Sequence, residues 1–291
     1  MWCLLWVLAC KKDDGNGNGG GTDLATTDGP EDTGPFKVDF VMNFAPALFG
    51  EVPNCDEPIE ANQIKNGAMA SLVDLRLYIS NVKVLAVDGS PLPVFLAPDE
   101  WQSTTVALLD FETGSGTCVG GTPSTNMSVR GKVSPGTYNG VRFDVSVPFE
   151  ENHAADSVPL DAPLMFRSAQ FGHRFFKFDM LVDETPWSAH VHSMECTSSG
   201  TDQPASACNR PNRATIELFN MDPATDTVII QLGSVIGALD PTQDTEGSPA
   251  GCQSDDLDDA ECPTVFSSLG LSWSSGYCDN DCEGQLVFTG L

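Results

Sequence analysis

Beyond Phe36, apolar and polar positions alternate with a period of two along most of the chain. In "DLRLYIS", Leu75, Leu77 and Ile79 alternate with Arg76, Tyr78 and Ser80, which predicts a half-buried strand. Asp88-Gly89 then supplies a turn, and "PLPVFL" can return as a second strand. Thr104 to Glu112 is another β-rich run. After the Pro135-Gly136 turn, Val141, Phe143, Val145 and Val147 share one face. "RFFKFDMLV", "ATIELF", "TVIIQL" and "GQLVFTG" add further strands, while helical pattern is confined to 233–239 and 263–269. Many short strands separated by Gly, Pro and Asp turns predict an all-β protein, an antiparallel β-sandwich with long loops and a few short helices. Two loops, Ser157 to Arg174 and Cys196 to Arg213, are of a length that is uncommon without a function.

The N-terminus departs from this pattern. "MWCLLWVLAC" is apolar but too short to cross a bilayer as a helix. It ends in Val7-Leu8-Ala9-Cys10, small residues before a cysteine, which looks like a bacterial lipoprotein cleavage site. Residues 1–10 are therefore expected to be a signal peptide ending at lipidated Cys10. Residues 11–36 carry almost no apolar side chain and read as a disordered tether. With no repeat and no second linker, 37–291 is expected to form a single β domain. Its expected place is the bacterial cell envelope, held to the outer membrane by the lipid anchor only, facing the periplasm or the surface.

The formal net charge of −27 argues against nucleic acid and anionic lipid as partners, since both would be repelled. The acidic run from Asp255 to Glu261 could bind Ca²⁺, but it lacks the spacing of an EF-hand loop, and a solvated loop is the plainer reading. Of the ten cysteines, Cys3 and Cys10 leave with the signal and anchor; 10 − 2 leaves eight. An even set in an exported chain predicts disulfides, and paired CxxC zinc spacings are absent. Spacing suggests Cys196–Cys208, Cys252–Cys262 and Cys278–Cys282 as local links and Cys55–Cys118 as the long one, one choice among 105 connectivities.

The chain has four histidines, and two of them, His190 and His192, lie in "ETPWSAHVHSMEC". On a strand they would face the same side with α-carbons roughly 7 Å apart, close enough for both to reach one ion. His153 follows one predicted strand and His173 precedes another, positions where sites are commonly built. Neutral imidazole suits copper and zinc, and Met165 or Met194 would favour Cu(I) if turned inward. A lone histidine is more often a hydrogen-bonded structural residue; two on one strand face with a third in a loop favour a metal. As loop or strand-end residues, none of the four is expected to fill the core. Nucleophile elbows and phosphate-cradling loops are absent, and a zinc hydrolase would lack a helical HExxH base.

The motif order resembles a known family, the MbnP-like proteins, also called metallo-mystery pair four-Cys proteins. The pieces that carry it are "DLRLYISNVKVL", "TTVALLDFETGSGTC", "GVRFDVSVPFEENHAAD", "HVHSMEC" and "CNRPNRATIELFNMDPATDTVIIQL". The resemblance implies a β-rich periplasmic or surface protein that binds copper. It also implies a partner, a di-haem enzyme resembling cytochrome c peroxidases and MauG, which in relatives oxidises a tryptophan toward kynurenine. Carried over by position, His153 and His190 match family residues, with Cys118, Cys196, Cys208, Cys252 and Cys262 as pattern cysteines. Relatives carry tryptophan within the segment matching Phe166 to Ala169, which here reads "FRSA"; Trp187 is the candidate substitute for modification. His173 and His192 are additions. The expectation is thus an exported copper-binding lipoprotein, a partner or substrate of the di-haem enzyme and not itself an enzyme. The alternative is a structural or adhesive surface lipoprotein without metal.

Overall fold

A computed structural model describes residues 37–200, 202–242, 250–254 and 259–291. The expected signal, Cys10, the tether and most of the acidic run lie outside them. The described residues form an all-β, sandwich-like fold. A five-stranded sheet runs in the order Phe288–Gly290, Thr227–Gln231, Val38–Ala47, Ser128–Val133, Phe95–Leu96. The larger sheet has the spine Ala214–Phe219, Tyr138–Val145, Met69–Ala86, Gly172–Val182, Thr185–His192, Gly251–Cys252. Strand Val106–Asp110 pairs with Met69–Ala86 off that path.

Pairing is mostly antiparallel, as expected, with two exceptions. Val38–Ala47 runs parallel to Thr227–Gln231, and Thr185–His192 parallel to Gly251–Cys252. These strands are far apart in sequence, so no hairpin turn dictates their direction. The sheets meet through edge-on aromatics: Phe143 stands 5.7 Å from Phe44 and 5.4 Å from Phe288, centroid to centroid. The helices are short, Phe149–Asn152, Leu232–Ile236 and Cys262–Ser268, the last two where the pattern placed them.

All four disulfides pair as the spacing suggested: Cys55–Cys118, Cys196–Cys208, Cys252–Cys262 and Cys278–Cys282. Cys196–Cys208 locks the small hairpin of Met194–Thr197 and Ala207–Arg210, so the second long loop is in part regular structure.

One expectation is overturned. The alternation through Leu75 predicts a half-buried strand, yet Arg76, Tyr78 and Ser80 are as buried as Leu75, Leu77 and Ile79. The connection after the Phe149–Asn152 helix lies over this polar face: Tyr78 Oη donates to the Pro159 carbonyl (3.0 Å) and Arg76 Nη1 to that of Pro163 (2.8 Å). Burying such a face is tolerable because its polar groups are paired. The first long loop is therefore a lid over a second, polar interior.

Candidate functional site

Strand alternation in Thr185–His192 turns Trp187, Ala189 and Val191 into the apolar core and His190 and His192 to the covered polar face. Register then sets a row across four strands: His190 opposite Lys177, Lys177 opposite Arg76, Arg76 opposite Asp110. Asp74 and Asp179, opposite each other on the two central strands, fill the gaps. Arg76 grips Asp74 with Nε at 2.8 Å and Nη2 at 2.5 Å. Lys177 Nζ bridges Asp74 and Asp179, 2.5 Å from the latter, and Asp179 Oδ1 lies 2.7 Å from His190 Nε2. Signs alternate along the chain of contacts, the condition under which buried charges are held.

This row sets the state of His190. Burial pulls its pKa down; the Asp179 carboxylate opposes that, and Arg174 and Lys177 add to it, so the ring is neutral. For Asp179, burial would raise the pKa, but the hydrogen bond from His190 and the Lys177 ammonium hold the carboxyl below the usual range. A neutral ring with Nε2–H donating to a carboxylate must carry its lone pair on Nδ1. That Nδ1 is buried and, among the described residues, has no hydrogen-bond partner.

His153 mirrors this from the end of the Phe149–Asn152 helix, packed edge-on against Phe149. Its Nδ1–H donates to the Ala169 carbonyl at 2.9 Å, leaving the lone pair on Nε2. The neighbour of Nε2 is Sγ of Cys208 at 4.0 Å, and a disulfide sulfur has no hydrogen to give. Burial, with Arg213 nearby, again lowers the pKa although the Ala169 carbonyl opposes it. Both rings resemble metal-binding histidines whose second nitrogen is anchored to a carboxylate or carbonyl oxygen.

The added histidines differ. His192 is fully buried; its Nδ1 faces the Ser193 carbonyl at 2.8 Å, and its Nε2 faces Arg167 Nη1 at 2.7 Å and the Gln253 carbonyl at 3.0 Å. Burial, with Arg167, pushes its pKa down to about 3. His173, also fully buried, lies between the carbonyls of Asn152 and Leu160, each 2.9 Å from a ring nitrogen. A neutral His192 donates from Nδ1 to Ser193 and accepts from Arg167 at Nε2, whereas a neutral His173 donates to one of its two carbonyls and the other carbonyl walls off its second nitrogen. The expectation that none of the four fills the core is wrong for these two, because the lid seals them in. Gly172 makes that packing possible: its φ is +75°, and a Cβ there would lie 2.3 Å from the Asn152 side chain.

Trp187 is on the core face, 6.0 Å from Phe178 and on the opposite side of the strand from His190 and His192. Met165 joins the apolar core. Sequence reasoning missed Asp179, Arg167 and Asn152. Asp179 had a legible signal, since Lys177 and Asp179 occupy the polar positions of "RFFKFDMLV" and Asp74 and Arg76 those of the adjoining strand. Arg167 lies on the lid and Asn152 ends the short helix before it, where no periodicity points. Among the described residues, no three His, Cys, Asp or Glu side chains form a group that could hold a metal ion.

The sequence model of the MbnP family matches residues 37–254, which include all four histidines. This chain belongs to the MbnP family. MbnP from Methylosinus trichosporium is similar in structure, with a TM-score of 0.74 at 27% identity, over 88% of this chain and 98% of that one. No curated protein matches. The part beyond the MbnP match is built into the fold: Cys262 bonds back to Cys252, and Phe288–Gly290 completes the edge of the smaller sheet.

Proposed function

We propose that this MbnP-family protein is an exported copper-handling lipoprotein, anchored through Cys10, in which His190 and His153 hold the metal as cargo. The observation that carries the reading is the Nδ1 of His190: a buried imidazole nitrogen with its lone pair free, fixed in that tautomer by Asp179. His153 Nε2 offers a second such donor. Imidazole nitrogen suits copper, and a neutral ring binds without first losing a proton. His192 and His173 act as structural neighbours rather than ligands.

The partner in this reading is a di-haem enzyme of the cytochrome c peroxidase or MauG type, and this chain is its substrate or carrier rather than a catalyst. Trp187 is the candidate for modification. It is 1% exposed, so oxidation there would have to proceed by electron transfer through the protein. The acidic run that includes Asp259 is the place for any Ca²⁺.

Metal analysis of protein purified without an affinity tag tests the proposal. Copper near one equivalent supports it. A metal-free protein that also fails to take up added copper would leave the structural or adhesive lipoprotein, and tightly held zinc would point to a different site chemistry.

A further inference from the structure

At the end of the charge row away from His190, a cavity of about 200 Å³ is lined by Arg76, Trp101 and Asp110, with Glu100 and Asp161 at exposed positions. Asp110 is 2% exposed. One carboxyl oxygen accepts the Glu112 N–H at 3.2 Å; among the described residues, no hydrogen bond reaches the other. Arg76 cannot serve it well, because the guanidinium is committed to Asp74 and the Pro163 carbonyl. Asp110 is thus a buried carboxyl that lines the cavity together with Trp101 and has one oxygen that accepts no hydrogen bond among the described residues.

We propose that this cavity binds a small organic cation, a primary alkylammonium, seated between the Asp110 carboxylate and the face of Trp101. The carboxylates of Asp110, Glu100 and Asp161 give the site its sign, and a chain of net charge −27 adds to the attraction. Trp is the best of the aromatic surfaces for a cation. An anion would meet three carboxylates and one guanidinium already paired. A metal ion is disfavoured because these carboxylates do not converge on one point. The volume is below that of typical drug-sized pockets, which limits the guest to a side-chain-sized head and short stem. Burial and the nearby Glu112 carboxylate push Asp110 up to about 7 against the pull of Arg76, and a cation in the cavity would stabilise its ionised form. The inference is independent of the metal reading.

Calorimetric titration of the intact protein with n-butylammonium, beside the neutral n-butanol, tests it. Saturable one-site binding of the ammonium alone is expected, weakened at least tenfold in Asp110→Asn and severalfold in Trp101→Leu. Asp161→Asn, at an exposed position, should also weaken binding and serves if the Asp110 variant does not fold. Substituting Nα-acetyl-lysine amide distinguishes the source: binding as tight as butylammonium points to a lysine side chain, and exclusion to a free amine. Equal binding of n-butanol, no saturation by either compound, or unchanged affinity in both carboxamide variants would overturn the proposal.

Discussion

The Asp179 carboxylate accepts a hydrogen bond from His190 Nε2 at 2.7 Å, and through that bond it decides which nitrogen of the histidine carries the lone pair. Lys177, bridging Asp179 to Asp74, keeps the carboxylate in place. The expected consequence is that Asp179→Asn weakens copper binding by roughly 10- to 100-fold, the range seen when such supporting partners of metal ligands are altered. Titration against a competing chelator measures it, and an unchanged affinity would show that His190 does not bind through Nδ1.

Among single alanine variants, His153→Ala and His190→Ala should lose most copper binding, because each deletes the nitrogen whose lone pair is free. His173→Ala and His192→Ala should lose less, since both nitrogens of His192 are engaged and both of His173 are walled in by carbonyl oxygens. If His192→Ala alone abolishes uptake, the metal sits elsewhere on that strand.

Without metal the order should reverse. His173 and His192 are fully buried and hydrogen-bonded, so replacing either by Ala leaves a cavity and unmatched carbonyls. A cost of about 2–4 kcal/mol is expected for each. His190→Ala should cost less, because the orphaned nitrogen disappears with the ring and Lys177 still pairs the Asp179 carboxylate that loses its hydrogen bond. Urea unfolding of the four apo variants tests this, and equal midpoints would mean that the lid does not pack as described.

How much of this was legible follows from where each residue lies. The alternation of Leu75, Leu77 and Ile79, and the pairing of His190 with His192 on one face, come from the period of an extended chain and needed no tertiary information. The disulfides followed from short spacings, with Cys55 and Cys118 left as the remaining pair. The burial of Arg76 and Tyr78 was not legible, because it depends on the connection from His153 to Phe171, which meets these two side chains through backbone carbonyls that any sequence presents. For the same reason, His173 and His192 looked like strand-end residues until the lid was placed over them.

Acid should destabilise the fold below the ordinary histidine pKa. Burial lowers the pKa of all four histidines, that of His192 to about 3. Between roughly pH 6.5 and pH 3 the unfolded chain therefore takes up protons that folded His192 refuses, so stability is full above 6.5 and falls as pH drops through that window. Asp110, held up to about 7, works the other way and gains as pH falls from about 7 toward 4. Four groups against one predict a net loss. Urea midpoints at pH 7.5 and pH 5 should differ in that direction, and His192→Gln should shrink the difference whatever its effect at pH 7.5. A midpoint that rises on acidification would contradict the neutral assignment of these rings.

The long disulfide should carry the largest single covalent contribution. Cys55 and Cys118 are 63 residues apart, whereas the other pairs close separations of 4 to 12. Because the restriction a crosslink places on the unfolded chain grows with the loop it closes, its loss is expected to cost about 4 kcal/mol in the chain-entropy picture. Local chemistry points the same way: the Cys55 carbonyl accepts the Thr117 N–H at 2.8 Å, and a Cβ at Gly116 would lie 1.9 Å from that carbonyl oxygen. The bond therefore clamps a tight turn that borders Glu112 and, through it, Asp110. Alkylation of the purified protein without reduction should label none of these eight cysteines. The double variant Cys55→Ser/Cys118→Ser should unfold at lower urea than Cys278→Ser/Cys282→Ser. If the short-loop variant proved the less stable, the contribution of these crosslinks would lie in native contacts rather than in the unfolded chain.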